Sequence, residues 1–351
     1  MKNTSSDGLL DKRGAAEGED FPPLAELASF YDRPGFLVRR ANQIAVSSFM
    51  EDLGEFGLTP TQMSSLAVIS ESPRIDQITL ARRIGVDRTT ISMVVNGLVE
   101  HGFINREQSR QDARKKEIDL TRAGRACTML ARDTALKNSN TLLSVFSPQE
   151  TDRLTYFLRR IIDDVPAKAP EWVRPDGSTR FTPETGFEKD FPEHARLYNA
   201  FGFLMRRTHQ TLESLFIETT KSLGLTPRRY GVLRLINTAE PVEQISVARW
   251  LALDGSTTAT LVTGLVQKGY VVRVEHPTDR RRRLLSLTDG GRRLIEKGHP
   301  LAVIASEKSL GVLGDDVAEF RSLLRRFIVE NDAHSRVPLE PAVTLSIKAI
   351  G

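Results

Sequence analysis

The sequence predicts a mainly α-helical chain with two small β-hairpins, laid out as two tandem copies of one module. Three observations carry this. The chain repeats itself: adding 167 to each residue number aligns 36–125 with 203–292 without a gap, and 32 of the 90 pairs are identical. Inside each copy, apolar residues at helical spacing are interrupted by a tight turn and resume, over 76–102 and 243–269. Each copy then changes to β-branched and apolar residues that run to a basic tip and return to Leu120-Thr121 or Leu287-Thr288. Helix, turn, helix and two-stranded hairpin make a winged helix-turn-helix, a shape that holds duplex DNA.

Bulk properties bound the rest. A chain of 351 residues suits two domains of ordinary size, and 40% hydrophobic with 27% charged residues is a globular balance. No apolar run reaches the roughly 20 residues of a membrane helix, and the N-terminus lacks an apolar signal core. The one cysteine, Cys127, excludes an intramolecular disulfide and a four-cysteine metal site. A cytoplasmic protein that needs no membrane is expected. The net charge of +4 is too mild to imply nucleic acid, but its distribution is not even. Arg106, Arg110, Arg114, Lys115 and Lys116 crowd one hairpin, and Arg280, Arg281, Arg282 and Arg283 are consecutive in the other.

Taken in order, residues 1–30 read as a flexible tail with a short helix (LAELASFY) before Pro34. The first module spans 31–164. Its first helix stops at Gly57, and Thr59-Pro60 starts the second with an N-cap and a proline in the first turn. A short helix follows with Ile78, Leu80, Ala81 and Ile84 on one side; Gly85 permits the turn and Asp87 caps the next helix. That helix turns Ile91, Val94, Val95 and Leu98 inward and Arg88, Thr89, Ser92 and Asn96 outward. The hairpin follows, Thr121 caps a long helix, and Ser147-Pro148-Gln149-Glu150 opens the last with a capping box. The Pro-rich linker 165–189 could cross about 80 Å at about 3.3 Å per residue. The second module spans 190–334 in the same order. The tail 335–351 carries VTLSIKAI, suited to an edge strand or a packed arm.

These residues resemble the MarR family of bacterial transcriptional regulators. The resemblance rests on the hairpin signature Asp112, Arg114, Leu120, Thr121, repeated as Asp279, Arg281, Leu287, Thr288, with the helix-turn-helix before it and long helices on both sides. It implies a dimerisation region of terminal helices. Here both modules lie in one chain, so an intramolecular pseudo-dimer joined through terminal helices is expected, alone or as a dimer of tandem chains. The linker would make the pairing independent of concentration. Two readers on a pseudo-two-fold would meet successive major grooves about 34–36 Å apart.

The expected DNA contacts follow. Thr89, Thr90 and Ser92 offer hydroxyls, Arg88 a bidentate guanine contact, and Asn96 an adenine or phosphate contact. Ordinary helix-start chemistry is the competing account of Thr89 and Thr90. The second copy offers Ser256, Thr257 and Thr258, but has Gly255 and Thr263 where the first has Arg88 and Asn96. An imperfectly palindromic operator is therefore expected. Arg106, Arg110, Arg114, Lys115 and Lys116, with Arg273, Arg280, Arg281 and Arg282, complete the set. The resemblance implies that Arg114 and Arg281 enter the minor groove.

The resemblance also implies a small-molecule effector, often an aromatic acid or its coenzyme A thioester, and repression as the default. Phe36, Arg40 and Gln43 share a helix face with helical spacing, as do Phe203, Arg207 and Gln210, with His209 replacing Asn42. An arginine on an apolar face wants an anion, which is either a ligand carboxylate or an acidic side chain of the other module. Cys127 reads as a buried thiol in an apolar-small run, with redox sensing as the alternative. The six histidines lack metal-ligand spacing, and no catalytic grouping or cofactor motif stands out, so an enzyme is not expected. A scaffold that keeps the fold with little DNA binding is the other alternative; a gel shift would separate it.

Overall fold

The computed structural model describes residues 24–109, 116–165, 200–275 and 283–350. The expected tail over 1–23, most of the linker, and the hairpin tips with Arg110, Asp112, Arg114, Lys115, Asp279, Arg280, Arg281 and Arg282 lie outside them.

The helices of each reader and the long helix after each hairpin begin mostly where the sequence supplies a cap. Helix α1 (Leu24–Tyr31) precedes α2 (Pro34–Leu53), and α2 gives way through a short 3-10 turn to Gly57. Helix α3 (Pro60–Glu71) opens on a capping box: Thr59 Oγ1 accepts from Gln62 N at 3.2 Å and Gln62 Oε1 from Thr59 N at 2.8 Å. Strand β1 (Ile75–Asp76), α4 (Gln77–Ile84), α5 (Arg88–Glu100) and the hairpin β2 (Ile104–Gln108) and β3 (Lys116–Leu120) follow. Then come α6 (Arg122–Leu143), capped by Thr121, and α7 (Pro148–Asp164), capped by the Ser147–Glu150 box.

The second copy repeats the order: α8 (Phe201–Thr219), α9 (Pro227–Ala239), β4 (Val242–Glu243), α10 (Gln244–Trp250), α11 (Gly255–Gln267), β5 (Val271–Glu275), β6 (Arg283–Leu287), α12 (Asp289–Leu310) and α13 (Val317–Asn331). The C-terminal α14 (Pro341–Ala349) is a helix, not an edge strand, and buries Val343 and Ile347. Both sheets are antiparallel with the returning strand in the middle, orders β1-β3-β2 and β4-β6-β5. The registers match across copies: Ile104 faces Leu120 as Val271 faces Leu287.

The two modules meet through their first and last helices. Helices α2 and α8 pack together, α7 lies on α8, and α13 lies on α2. Buried residues form two apolar cores. One is confined to the first reader and holds Leu66, Ile84, Val95, Ile118 and Cys127. The other runs without a break from the inter-module helices into the second reader, from Phe157 and Phe320 through Leu233 to Val262 and Leu285.

Two expectations are corrected here. The boundary at residue 30 cuts a helix: Phe30 and Tyr31 are buried, Tyr31 Oη donates to Trp250 O at 3.3 Å, and α1 packs on α14. Ile78 is not on the apolar side of α4; it and its counterpart Ile245 are exposed, while Leu80, Ala81 and Ile84 are buried.

Arg40 is fully buried (0% exposed) in α2. Its Nη1 donates to Val337 O at 2.8 Å and its Nη2 pairs with Asp332 just past α13. Asp332 also accepts from Leu339 N at 2.8 Å, so one arginine fastens the segment leading to α14. Burial pushes the Arg40 guanidinium down, and Asp332 opposes this. Removing the carboxylate leaves a buried charge unpaired, which costs about 3–5 kcal/mol. Asp332→Ala should lose that much stability in urea denaturation. A loss below about 1 kcal/mol would show that Arg40 finds another partner.

Candidate nucleic-acid interface and adjoining cavity

Each reader helix starts on an aspartate. Asp87 accepts from Thr90 N at 2.8 Å and from Thr90 Oγ1 at 2.9 Å. Asp254 accepts from Thr257 N at 2.8 Å, Thr257 Oγ1 at 2.7 Å and Ser256 Oγ at 2.6 Å. These bonds hold both carboxyls below the ordinary range, led by the Thr90 backbone at Asp87 and the Ser256 hydroxyl at Asp254. The hydroxyls of Thr90, Ser256 and Thr257 thus donate to a cap and must release it before donating to a phosphate. Thr258 is withdrawn from the DNA set: it is 0% exposed and its hydroxyl donates to Asp254 O at 3.0 Å. It occupies the core position of Ile91 in the first copy.

Arg88 and Thr89 are exposed on the first turn of α5, and Asn96 is exposed two turns on. Between them stands Met93, 64% exposed, where Thr260 stands in the second copy. A methionine in a helix reads as core from sequence, so nothing singled it out; its surface suits a thymine methyl. Ser92 is half-buried and accepts from Gln77 Nε2 at 2.8 Å. Gln77 Oε1 accepts in turn from Arg106 Nη2 at 3.3 Å, and the same nitrogen donates to Asn96 Oδ1 at 3.2 Å. Arg106 therefore joins hairpin to reader helix. Arg273 repeats the tie, donating to Thr263 Oγ1 at 3.2 Å. Lys116 is exposed on β3 opposite Gln108.

The turn of each reader is held by the other module. Arg207 on α8 is 2% exposed, and its Nη1 donates to Gly85 O at 2.8 Å and Gln210 Oε1 at 2.9 Å. The reverse tie runs from α2: Arg39 Nη2 donates to Leu251 O at 2.7 Å and Gln43 Nε2 to Ala252 O at 3.0 Å, while Arg39 Nη1 donates to Gln43 Oε1 at 2.9 Å. Gly85 and Ala252 are equivalent turn residues, both with positive φ.

The effector assignment is corrected by these contacts. Arg40 and Arg207 face protein groups, not a cavity, and Gln43 and Gln210 serve the same ties. The acidic side chain of the other module is the partner that Arg40 finds. Of the expected set, Phe203 lines the large cavity, while Phe36 and His209 line two small ones. Burial, then Arg39 and Arg228, pushes His209 down to about 4, so it is neutral near pH 7.

The large cavity, about 390 Å³, lies between the first reader and the helices that join the modules. Phe49 of α2, Met63 of α3, Leu136 of α6 and Phe203 of α8 give it an apolar wall. Two arginines line it: Arg206, one residue before the expected one, and Arg132 of α6. Among the described residues, Arg206 Nη1 and Arg132 Nη2 are buried without a hydrogen-bond partner. Arg206 Nη2 reaches Ser64 Oγ at only 3.4 Å, and burial, helped by Arg207, pushes its guanidinium down to about 10. Cys127 is buried in the first reader core, and burial pushes its thiol up, so the thiolate an oxidant attacks is scarce.

Gly85 is the residue that lets the cross-module tie close. A Cβ there would sit 2.0 Å from Arg207 Nη1, and its φ of +68° already disfavours a side chain. Gly85→Ala should cost about 1–2 kcal/mol of left-handed strain plus the displacement of Arg207. In an Arg207→Ala background only the strain should remain. Equal costs in the two backgrounds, by urea denaturation, would contradict the close contact.

Comparison with known proteins agrees with this geometry. The MarR family profile matches residues 58–116, and a second MarR family profile matches 223–282. The multiple antibiotic resistance protein MarR of Escherichia coli K12 is 28% identical over 129 residues, 36% of this chain and 90% of its own. A MarR-family transcriptional regulator from Rhodococcus sp. RHA1 is 30% identical, covering 38% of this chain and 96% of its own, TM-score 0.34. CouR from Rhodococcus jostii RHA1, solved with p-coumaroyl-CoA, is 32% identical over 38% of this chain and 94% of its own, TM-score 0.34. Each relative answers to little more than a third of this chain, the share of one module. With its reader, hairpin and flanking helices present twice, the chain belongs to the MarR family of transcriptional regulators as two tandem modules in one polypeptide.

Proposed function

We propose that the chain is a repressor that binds one pseudo-palindromic operator with both of its readers, as a covalently linked pseudo-dimer, and releases it when an apolar carboxylate enters the large cavity. The observation that carries the effector half is the pair of unpartnered buried nitrogens, Arg206 Nη1 and Arg132 Nη2, on an apolar cavity of about 390 Å³. A buried guanidinium donor without a partner is costly, and a carboxylate supplies the charge-assisted bonds it lacks. The apolar wall favours an aromatic body, so an aromatic acid or its coenzyme A thioester fits; CouR is a relative with such a ligand.

The route to DNA is short. Arg206 adjoins Arg207, which holds the first reader's turn at Gly85. A ligand that draws Arg206 toward itself moves α8 against that turn, and with it α5. Release then follows from a difference in ligand affinity between the two arrangements.

For DNA, Arg88, Thr89, Met93 and Asn96 form the base-reading face of the first copy. The second copy, with Gly255 and Thr263, leans on backbone contacts. Arg106, Arg110, Arg114, Lys115, Lys116, Arg273, Arg280, Arg281 and Arg282 supply the phosphate and minor-groove charge.

One titration tests both halves: fluorescence anisotropy on the DNA upstream of the chain's own gene, with and without members of an aromatic acid and CoA thioester panel. Log-affinity should fall against log salt with a slope of about −5 to −9, for roughly 6–10 phosphate contacts. A panel member should weaken binding in the wild type and in Arg40→Ala but not in Arg206→Ala. A flat salt dependence would refute the DNA interface. An effector that acts equally on Arg206→Ala, or a panel with no effector, would refute the cavity assignment.

A further inference from the structure

The two modules share a sequence plan but not a cavity. Shifted by 167, the residues around the large cavity map onto two small ones of about 90 and 50 Å³ beneath the second reader. Phe203 maps back to Phe36, Arg206 to Arg39, and Ala135 and Ser139 forward to Ala302 and Ser306. Among the described residues, the same site is built twice and closed once.

What closes it is visible. Met63 of the first copy is Tyr230 in the second, and Arg132 is His299. Arg33, at the N-cap position of α2 two residues past α1, donates through Nη1 to Tyr230 Oη at 3.0 Å, and Tyr230 Oη lies 3.1 Å from His299 Nδ1. Phe30 sits beside Gly231, where the first copy has Ser64, and meets Tyr31 edge-on and Phe36 at a tilt, at centroid distances of 5.4 and 5.7 Å. Helix α1 therefore lies in the seam that, among the described residues, stays open in module one.

Two consequences follow from that packing. The polar groups of the closed copy have partners: Arg39 bonds Leu251 O and Gln43, whereas its counterpart Arg206 leaves Nη1 without one. The apolar cores behave in the same way. Beneath the first reader the core is separate from the inter-module helices, and beneath the second it is continuous with them in one cluster that includes Phe30, Tyr31 and Tyr230.

We propose that α1 is the resident occupant of module two's copy of the effector cavity, so that one chain takes a single apolar anion and displacement of α1 uncovers a second site. The proposal rests on the effector reading for module one, but its test separates the two. In the chain as it stands, the occupant is a tethered phenylalanine with Arg33 beside it, and the tether sets its effective concentration.

The test uses the full chain and 8-anilino-1-naphthalenesulfonate, an aromatic anion whose fluorescence rises on burial. The wild type should bind one equivalent, and Arg206→Ala should lose it. Phe30→Ala combined with Tyr230→Met, which restores the residue of module one, should bind two, and adding Arg206→Ala should leave one. Phe30→Ala alone is the milder opening, expected to bind a second equivalent more weakly if the double variant does not fold. Two equivalents on the wild type would overturn the proposal, as would no gain in folded opened variants. No binding to the wild type with one equivalent on an opened variant would sink the effector reading for module one and leave α1 as the occupant of module two.

Discussion

The structure depends on two arginines that cross between modules, Arg207 buried and Arg39 half-buried. Arg207 of the second module bonds the turn carbonyl of the first reader, and Arg39 of the first module bonds the corresponding turn of the second. Each turn ends a short helix, where carbonyls lack intrahelical partners and carry partial negative charge, so a guanidinium suits it. Neither arginine has a carboxylate at the turn; burial pushes them down to about 10 and about 9 respectively. Their positions are therefore held by packing and carbonyl geometry, and a shift of α2 or α8 reaches the opposite reader directly. Because the modules lie in one chain, that exchange carries no concentration penalty.

Symmetry in this connection contrasts with asymmetry elsewhere. The first copy keeps Arg88 and Asn96 at its reader face and an open cavity behind it; the second has Gly255 and Thr263 in front and a filled seam behind. Separate subunits of identical sequence cannot divide labour in this way. A fused pair can: the exposed Arg88 and Asn96 and the large cavity both lie in module one, while module two supplies Arg206, which lines that cavity, and Arg207, which holds the turn of module one's reader.

Local features were legible in the residues. Caps at Thr59, Asp87, Thr121 and Ser147, and at the copies Thr226, Asp254 and Thr288, need only neighbours within three residues, and all formed; α13, where the copy has Gly314 for Ser147, begins without a side-chain cap. The two hairpins were legible in the change to β-branched and apolar residues after Gly102 and Gly269. Features set by distant packing were not legible. On α2 and α8 two arginines are adjacent, and which one meets the cavity depends on how α2 and α8 cross; the expected Arg40 and Arg207 turned to protein, and Arg206 was missed. Thr258 shows the opposite case. Its alignment with Ile91 was a signal that the position is core, outweighed by the hydroxyl's suitability for phosphate. The role of α1 lay beyond reach, because nothing in LAELASFY marks the surface it covers.

The central claim is that one chain forms the whole DNA-binding unit. The mass of the complex with a duplex carrying both half-sites, measured by sedimentation velocity at dilute protein, tests it most directly. One chain of 39.2 kDa per duplex is the predicted result. A complex that assembles only with two chains per duplex would contradict it.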